Sequence, residues 1–229
     1  MTLPRLLIVK TGSTHPDVVA SDGDYDAWFF DAMEGGAARF DVVPATEPLP
    51  APSGWAGVIL TGSPASVRDE TPWMERLAGW TLAAAEAGIP VLAVCFGHQL
   101  VGEALGGRVE ANPRGPEYGT TRIELTAAGR VDPLFAGLPP SLEVQQTHGD
   151  ALVVPPPPER AVLLATSEVC TWQAFAAGPR LRAVQFHPEL RAATLGRLLA
   201  ARGRPGTVRE SEHGRRILRN WDERFVRRA

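Results

Sequence analysis

The chain has 229 residues, of which 44% are hydrophobic and 21% are charged, as in an ordinary soluble globular protein. This length and composition exclude a disordered chain, a coiled coil and a collagen-like repeat. The formal net charge of −3 offers no basic surplus for a phosphate backbone, so we predict no nucleic-acid partner. The apolar stretches are too short to span a bilayer and the N-terminus lacks a signal-peptide pattern, which predicts a cytoplasmic protein with no membrane partner.

The first half of the chain alternates short apolar strands with helices. We predict strands at residues 6–9, 40–43, 58–60 and 91–94. One helix is predicted over residues 24–33 with a glycine stop at Gly35-Gly36, and another runs from a cap at Thr71 to Gly88. This alternation predicts an α/β fold in which a doubly wound, largely parallel central sheet carries helices on both faces.

The second half is richer in strands, which we predict at residues 122–125, 142–146, 161–165, 173–176 and 181–186. A helix is predicted over residues 190–200, and an amphipathic helix over residues 211–226 closes the chain. The four-proline run at residues 155–158 is too short to be a domain linker. We therefore predict a single domain over residues 1–229, with residues 203–229 as a C-terminal helical extension.

Cys95 stands where the strand at residues 91–94 meets a predicted helix. A sharp turn at such a junction projects the side chain above the sheet edge, and the helix N-terminus stabilises a thiolate. Gly97 removes a side chain that would crowd this turn or a substrate. The arrangement is typical of a nucleophile, and a buried structural cysteine is the alternative. Cys170, with no predicted helix and no histidine close to it in the sequence, is interpreted as structural.

A candidate base follows the last predicted strand, in the segment Gln185-Phe186-His187-Pro188-Glu189. Pro188 favours an extended backbone at His187, and side chains two residues apart then point to the same face. We therefore expect the Glu189 carboxylate to reach the His187 ring and to orient it. The alternative is a surface histidine and glutamate that follow a strand. The presence of Cys95 at a strand-to-helix turn disfavours this alternative.

Attack on a carbonyl group creates an oxyanion that needs two backbone N–H donors. We predict one donor at Phe96, directly after the cysteine, and the other at Ser63 in the strand-ending turn Gly62-Ser63-Pro64. An ordinary glycine-proline turn is the alternative interpretation. The sequence holds neither a phosphate-binding Gly-x-x-x-x-Gly-Lys loop nor a dinucleotide fingerprint, so we predict no cofactor and no catalytic metal.

Three segments together resemble the class I, or triad, glutamine amidotransferases, and they occur in that family's order. They are Thr61-Gly62-Ser63-Pro64-Ala65-Ser66, Val94-Cys95-Phe96-Gly97-His98-Gln99 and Gln185-Phe186-His187-Pro188-Glu189. The resemblance implies a flavodoxin-like α/β fold. It also implies that Cys95 is the nucleophile, His187 the general base and acid, and Glu189 its orienting group.

The same resemblance implies where the substrate binds. Gln99 matches the position whose side chain helps to hold glutamine, and Gly62 belongs to the oxyanion turn beside it. His148 and Gly149 lie in a segment similar to the family's loop around the amino-acid end of the substrate. Ser63 departs from the family, which usually has a second glycine at that position.

The activity that the resemblance implies is hydrolysis of the glutamine side-chain amide to glutamate and ammonia through a cysteinyl thioester. Pro72-Trp73 and Arg114-Gly115-Pro116-Glu117 resemble a stand-alone branch similar to the amidotransferase half of GMP synthase, some members of which hydrolyse γ-glutamyl peptides. Two alternatives stay open. The chain hydrolyses a γ-glutamyl peptide or amine with the same triad, or it is one subunit of an amidotransferase and works only with a separate synthetase chain that accepts ammonia.

Overall fold

The computed structural model describes residues 3–33 and 38–227. The strands are β1 (Arg5–Lys10), β2 (Arg39–Pro44), β3 (Gly57–Leu60), β4 (Val91–Val94), β5 (Arg108–Ala111), β6 (Glu117–Leu125), β7 (Ser141–His148), β8 (Asp150–Val154), β9 (Val162–Thr166), β10 (Ala174–Ala177) and β11 (Leu181–Val184). The helices are α1 (Pro16–Asp22), α2 (Tyr25–Ala32), α3 (Pro72–Glu86), α4 (Phe96–Ala104), α5 (Ala127–Val131), α6 (Ala192–Ala201) and α7 (His213–Trp221).

Nine strands form one sheet in the order β2-β1-β3-β4-β11-β10-β9-β6-β7. The first five strands in this order are parallel, and the remaining four continue the sheet in antiparallel pairs. Alternate residues of β1 and β4 belong to two hydrophobic clusters, one shared with α2 and α7 and the other with α3 and α4. Helices therefore cover both faces of the parallel strands, and the predicted fold class is confirmed.

The continuous apolar runs of β3 and β4 explain why these strands lie at the centre of the sheet. Every residue of Gly57–Leu60 and Val91–Val94 is buried, because helices cover the strands on both sides. Edge strand β2 holds no fully buried residue. Burial on both faces thus fixes β3 and β4 at the centre of the sheet. Both strands end at the site described below.

The sequence patterns miss two strands, β5 and β8, and two helices, α1 and α5. β5 and β8 form a separate antiparallel pair beside the main sheet. β5 buries only Val109, so it lacks the alternation that indicates a strand. Helix α1 has seven residues with Val18 as its one buried side chain, which leaves almost no helical periodicity to detect. β6 begins five residues before the predicted strand at residues 122–125.

The helix boundaries follow the sequence signals in part. Thr71 precedes α3 in an extended conformation, but its side chain makes no capping hydrogen bond, so the predicted cap is wrong in this respect. Gly88 follows the helix with φ +87°, a conformation that favours glycine. Helix α2 ends at Ala32, and the predicted stop at Gly35-Gly36 lies outside the described residues.

The C-terminal helix packs against the sheet. Its apolar side, formed by Ile217, Leu218, Trp221 and Phe225, is buried as the predicted amphipathic pattern requires, and it joins the cluster that contains Leu6. After Trp221 the helix continues as a wider turn over Asp222–Val226. Within residues 3–33 and 38–227, no helix combines the length and the apolar character that crossing a lipid bilayer requires.

Candidate active site

The three sequence motifs follow neighbouring strands of the sheet. β3, β4 and β11 lie side by side and run parallel, so their carboxyl ends meet at one edge. Gly62 comes after β3, Cys95 after β4 and His187 after β11. Parallel α/β sheets place their ligand sites at this edge, and here it assembles residues that are far apart in the chain.

Cys95 occupies a sharp turn between β4 and α4. Its backbone has φ +51° and ψ −99°, and in the described part of the chain only Glu70 shares a positive φ among residues other than glycine. Such a conformation is costly for a residue with a Cβ atom and is concentrated at functional sites. Cys95 is also the N-cap residue of α4, where the helix dipole favours negative charge on the sulfur.

His187 and Glu189 form a buried pair. Nδ1 of the ring lies 2.7 Å from Oε1 of Glu189, and the two side chains are 2% and 0% exposed. The structure places them in contact, though not through the extended backbone that the sequence predicts. Pro188 and Glu189 lie in a turn, and the N–H of Leu190 donates to the His187 carbonyl at 3.4 Å. The turn brings the carboxylate back to the ring.

The surroundings of His187 favour its charged form. Burial lowers the pKa of the ring, but the negative charges of Glu189 and Cys95, together with hydrogen bonds to both side chains, outweigh burial and raise this pKa to about 10. Nε2 has no oxygen or nitrogen partner among the described residues. At neutral pH the ring is therefore an imidazolium between a carboxylate and the cysteine sulfur, and it can donate a proton to a leaving group.

Gly62 leaves the space that this ring occupies. A Cβ atom at position 62 would lie 2.7 Å from Cε1 of His187 and 3.6 Å from Cβ of Cys95. The Gly62 carbonyl is fixed by the hydroxyl of Thr11, which donates to it at 2.8 Å. The side chains of Cys95 and His187 thus face the same small volume beside Gly62.

Ser63 and Phe96 line the same pocket as Cys95. Phe96 is the first residue of α4, so its N–H has no partner within the helix. Ser63 does not have a positive φ, and its hydroxyl donates to the carbonyl of Thr11 at 2.9 Å. The hydroxyl is therefore held within the turn, and the group that Ser63 can offer an oxyanion is its backbone N–H.

A pocket of about 230 Å³ has Cys95 in its wall. Gln99 and Gly149, which the sequence resemblance places near a substrate, are also part of this wall. Tyr118, Arg202 and Arg204 complete another part of it, and nothing in the sequence motifs indicates them.

Gln99 and His148 hold the loop that separates β7 from β8. The carbonyl of Asp150 accepts from Nε2 of Gln99 at 2.9 Å, and Nδ1 of His148 lies at the same distance from it. Gln99 Nε2 also donates to Oε1 of Gln185 at 3.1 Å, which links this loop to the segment that carries His187. The structure thus engages both side chains with the protein itself, while both residues still line the pocket.

Glu117 lies behind this loop and supports it. Its Oε2 faces Nε2 of His148 at 3.1 Å and accepts from Nε2 of Gln173 at 2.6 Å. The two ring nitrogens of His148 thus face two oxygens, Oε2 of Glu117 and the carbonyl of Asp150. These contacts fix the backbone on both sides of Gly149.

Glu117 and His148 also lie close to Cys170, and potential ligand atoms of the three side chains fall within 4.8 Å of one another. The oxygens of Glu117 already accept from Ser167, Gln173 and the imidazole. Burial and the charge of Glu117 raise the pKa of the Cys170 thiol to about 12, so it stays protonated at neutral pH. The structure therefore brings a histidine close to Cys170, which the sequence does not indicate, and the cluster is a hydrogen-bonded support.

Tyr25 packs beside His187, a contact that the sequence motifs do not reveal. Its ring lies nearly parallel to that of His187, with centroids 6.5 Å apart and an interplanar angle of 16°. Burial, opposed by the nearby guanidinium of Arg202 and reinforced by the charge of Cys95, raises the pKa of the Tyr25 hydroxyl to about 12. Tyr25 is therefore a neutral phenol that supports the imidazolium from one side.

The comparisons with known proteins agree with this fold and define the family. The chain belongs to the family described as glutamine amidotransferase class-I, whose family model matches residues 24–203. A GMP synthase [glutamine-hydrolyzing] of Aeropyrum pernix is 35% identical over 189 residues, which are 79% of this chain and 30% of that protein. The chain thus spans about a third of the length of this relative.

A shorter relative matches this chain over most of its own length. It is a protein of Saccharolobus solfataricus that is named as one subunit of a glutamine-hydrolyzing GMP synthase, and it is 32% identical over 170 residues, covering 74% of this chain and 86% of that protein. Among solved structures, a glutamine amidotransferase of Thermotoga maritima has a TM-score of 0.71 at 22% identity and covers 99% of both chains. That likeness shows the shared fold.

Proposed function

We propose that this chain hydrolyses the side-chain amide of glutamine to glutamate and ammonia through a thioester on Cys95. The observation that carries the proposal is the position of Cys95 in its elbow, beside the His187–Glu189 pair, at the ends of β4 and β11. Family membership and the names of the GMP synthase relatives support glutamine as the substrate.

The first half of the proposed reaction forms the thioester. The Cys95 thiolate attacks the amide carbon, and the N–H groups of Phe96 and Ser63 stabilise the resulting oxyanion. As the tetrahedral intermediate collapses, the carbon–nitrogen bond breaks and the His187 imidazolium gives its proton to the departing nitrogen. Ammonia leaves, and the acyl group remains on sulfur.

The second half releases glutamate. Neutral His187 takes a proton from water, and the hydroxide attacks the thioester carbon. The carbon–sulfur bond then breaks, which returns the Cys95 thiolate and the imidazolium. Glu189 keeps the ring oriented in both halves, and its charge favours the protonated ring that each cycle restores.

Substrate binding in this proposal uses the backbone beside Gly62 and Gly149. The hydrogen bonds of Gln99 and His148 to the Asp150 carbonyl support a role in which these side chains hold the Gly149 loop against the substrate. Gly62 supports the same site by leaving room for the His187 ring.

The test measures glutamate and ammonia released from glutamine and maps labelling by a diazo-ketone analogue of glutamine. We expect the label on Cys95, its loss in His187→Ala, and a fall in turnover of about 10³-fold or more in Cys95→Ala. Cys170→Ala is the matched control. It removes the second buried cysteine, and the variant should keep both its turnover and the label on Cys95. Label on Cys170 in the unaltered protein would overturn the assignment.

Two other functions of the same site have separate outcomes. Faster turnover of γ-glutamyl dipeptides than of glutamine would make the chain a γ-glutamyl hydrolase. A chain that is labelled at Cys95 but hydrolyses neither substrate would match an amidotransferase subunit that needs a synthetase partner. The relative named as a subunit, which this chain covers to 86%, favours keeping this second candidate.

A further inference from the structure

Two arginines line the pocket from a part of the chain that the motifs do not include. Arg202 directly follows α6, and Arg204 lies two residues further on. Both belong to the wall of the pocket that contains Cys95. The family match ends at residue 203, so Arg204 lies directly after the matched residues.

This segment is fastened to the sheet. The N–H of Thr120 donates to the carbonyl of Thr207 at 2.8 Å, and its hydroxyl donates to the carbonyl of Arg209 at 3.0 Å. Nε2 of Gln145 donates to the same Arg209 carbonyl at 3.0 Å. Gly206 packs so closely that a Cβ atom there would lie 2.7 Å from the carbonyl oxygen of Tyr118. The two arginines therefore start from a fixed backbone.

Aromatic residues lie beside the two guanidinium groups. Arg204 lies over the ring of Tyr118, 4.8 Å from its centroid, and also contacts the Tyr118 hydroxyl. The guanidinium of Arg202 is close enough to Tyr25, the residue that packs beside His187, for its charge to oppose the raised pKa of the Tyr25 hydroxyl. Tyr118 thus holds Arg204 at the pocket, and Arg202 lies on the side of the pocket that faces Tyr25.

Neither Arg202 nor Arg204 forms an ion pair with a carboxylate in the described ranges, whereas Arg209 of the same segment pairs with Glu143 at 2.8 Å. A guanidinium binds a carboxylate through two parallel hydrogen bonds. Two such groups without an acidic partner, held beside a pocket, form a site for a carboxylate supplied by a ligand.

We propose that Arg202 and Arg204 form a subsite that binds a carboxylate of the substrate while its amide lies at Cys95. This inference rests on the proposed function for the identity of the substrate. The carboxylate comes either from the α-carbon of the glutamyl group or from the amine that departs, as in a γ-glutamyl amino acid. The experiments below distinguish the two sources.

The first experiment needs no turnover, because it compares alkylation of Cys95 by iodoacetate and by neutral iodoacetamide. We expect R202Q/R204Q to lower the rate of alkylation by iodoacetate, divided by the rate of alkylation by iodoacetamide, about tenfold. This is the effect of one well-placed ionic contact. R209Q is the matched control: it makes the same change in the same segment, outside the pocket, and should keep the ratio. An unchanged ratio in R202Q/R204Q, with a normal melting temperature, would overturn the subsite.

The second experiment locates the carboxylate through the KM values for glutamine, glutamine α-amide, γ-glutamylglycine and γ-glutamylmethylamide. If the α-carboxylate binds, R202Q/R204Q should raise KM about tenfold for every substrate except the α-amide. If the carboxylate of the departing amine binds, KM should rise for γ-glutamylglycine alone. An equal rise in KM for all four substrates would contradict both sources of the bound carboxylate. Failure of the unaltered protein to hydrolyse any of them would count against the proposed function, while the alkylation ratio would still test the subsite.

Discussion

The charge on His187 is the residue-scale property on which the proposed chemistry depends. A buried imidazole is ordinarily neutral, because burial lowers its pKa. Here the Glu189 carboxylate at 2.7 Å and the charge of Cys95 reverse that effect. The raised pKa also stabilises the fold: this contribution is complete below about pH 6.5 and is lost as the pH rises through about 10.

Replacing Glu189 with glutamine should therefore change the pH dependence of the reaction. Glu189→Gln removes the first of the charges that raise the pKa of His187, so the ring should lose its proton at a lower pH than about 10. The general acid is then lost earlier, and the alkaline limb of the kcat/KM profile should move to lower pH. The profile of the unaltered protein, measured in the same buffers, is the reference. An alkaline limb that keeps its position would show that His187 is not the group that titrates there.

Gly62→Ala should disable the site through a single methyl group. The added carbon would lie 2.7 Å from Cε1 of His187, well inside contact distance, and would displace the ring from Cys95. We expect turnover to fall at least about tenfold, since a small misplacement of a catalytic group is costly. The assay is turnover of glutamine by folded protein.

The control for Gly62→Ala is Gly79→Ala in α3, where nothing lies within 4 Å of the added carbon. That variant should keep its turnover and gain roughly 0.5–1 kcal/mol in stability, because alanine favours a helix interior. Equal turnover in Gly62→Ala and Gly79→Ala would mean that the His187 ring can be displaced without slowing the reaction.

At the scale of elements, the contact between α4 and β3 sets the position of the Cys95 elbow. Gly97 is the point of closest approach: a Cβ atom there would lie 2.8 Å from Cβ of Leu60 and 3.3 Å from its carbonyl oxygen. Leu60 ends β3, so the helix can approach the sheet only without a side chain at this position. This extends the sequence interpretation of Gly97, which assigned it to the turn and the substrate.

Gly97→Ala should push α4 away from β3. We expect a loss of about 1–3 kcal/mol in the free energy of unfolding, the usual cost of overpacking a core, measured by urea denaturation. Turnover of the folded fraction should fall as well, because Cys95 moves with the helix. Gly196→Ala in α6, which meets nothing within 4 Å, is the control and should not be destabilised. Unfolding curves that coincide for Gly97→Ala and the unaltered protein would refute this packing argument.

At the scale of the whole molecule, the C-terminal helix shares the hydrophobic cluster of the sheet. Trp221 is completely buried, and its ring passes beside position 57 of β3. Only glycine fits at position 57, because a Cβ atom there would lie 2.9 Å from the Trp221 ring. We propose that the chain folds as one domain in which residues 203–229 are an integral extension.

Trp221→Ala tests this proposal. Deleting a buried aromatic ring should lower the free energy of unfolding by about 3–5 kcal/mol. In a single domain the whole transition should shift, so far-UV circular dichroism and tryptophan fluorescence should give the same midpoint. Trp221→Phe, which keeps much of the buried area, should lose less. Two separate transitions, with the sheet surviving the loss of α7, would show that the extension is an independent unit.

Much of the site could be predicted because its signals are local. The run Val91–Val94 is apolar throughout, since both of its faces are covered, and Cys95 with Gly97 follows it directly. The pairing of His187 with Glu189 could be expected from their separation of two residues, although a turn and not a strand produces it. A strand and the residues that end it are consecutive in the sequence, so these features can be recognised without the structure.

What only the tertiary structure decided are the contacts between segments that share no local pattern. The neighbouring positions of β4 and β11 bring Cys95 to His187, and the fold alone places Tyr25 beside that imidazole and Arg202 on the wall of the pocket. The strand pair β5 and β8 likewise gains its order from the partner strand rather than from its own hydrophobic pattern. Hydrogen bonds and charge pairs act through space, so their partners become identifiable only when the sheet order has fixed which distant residues are neighbours.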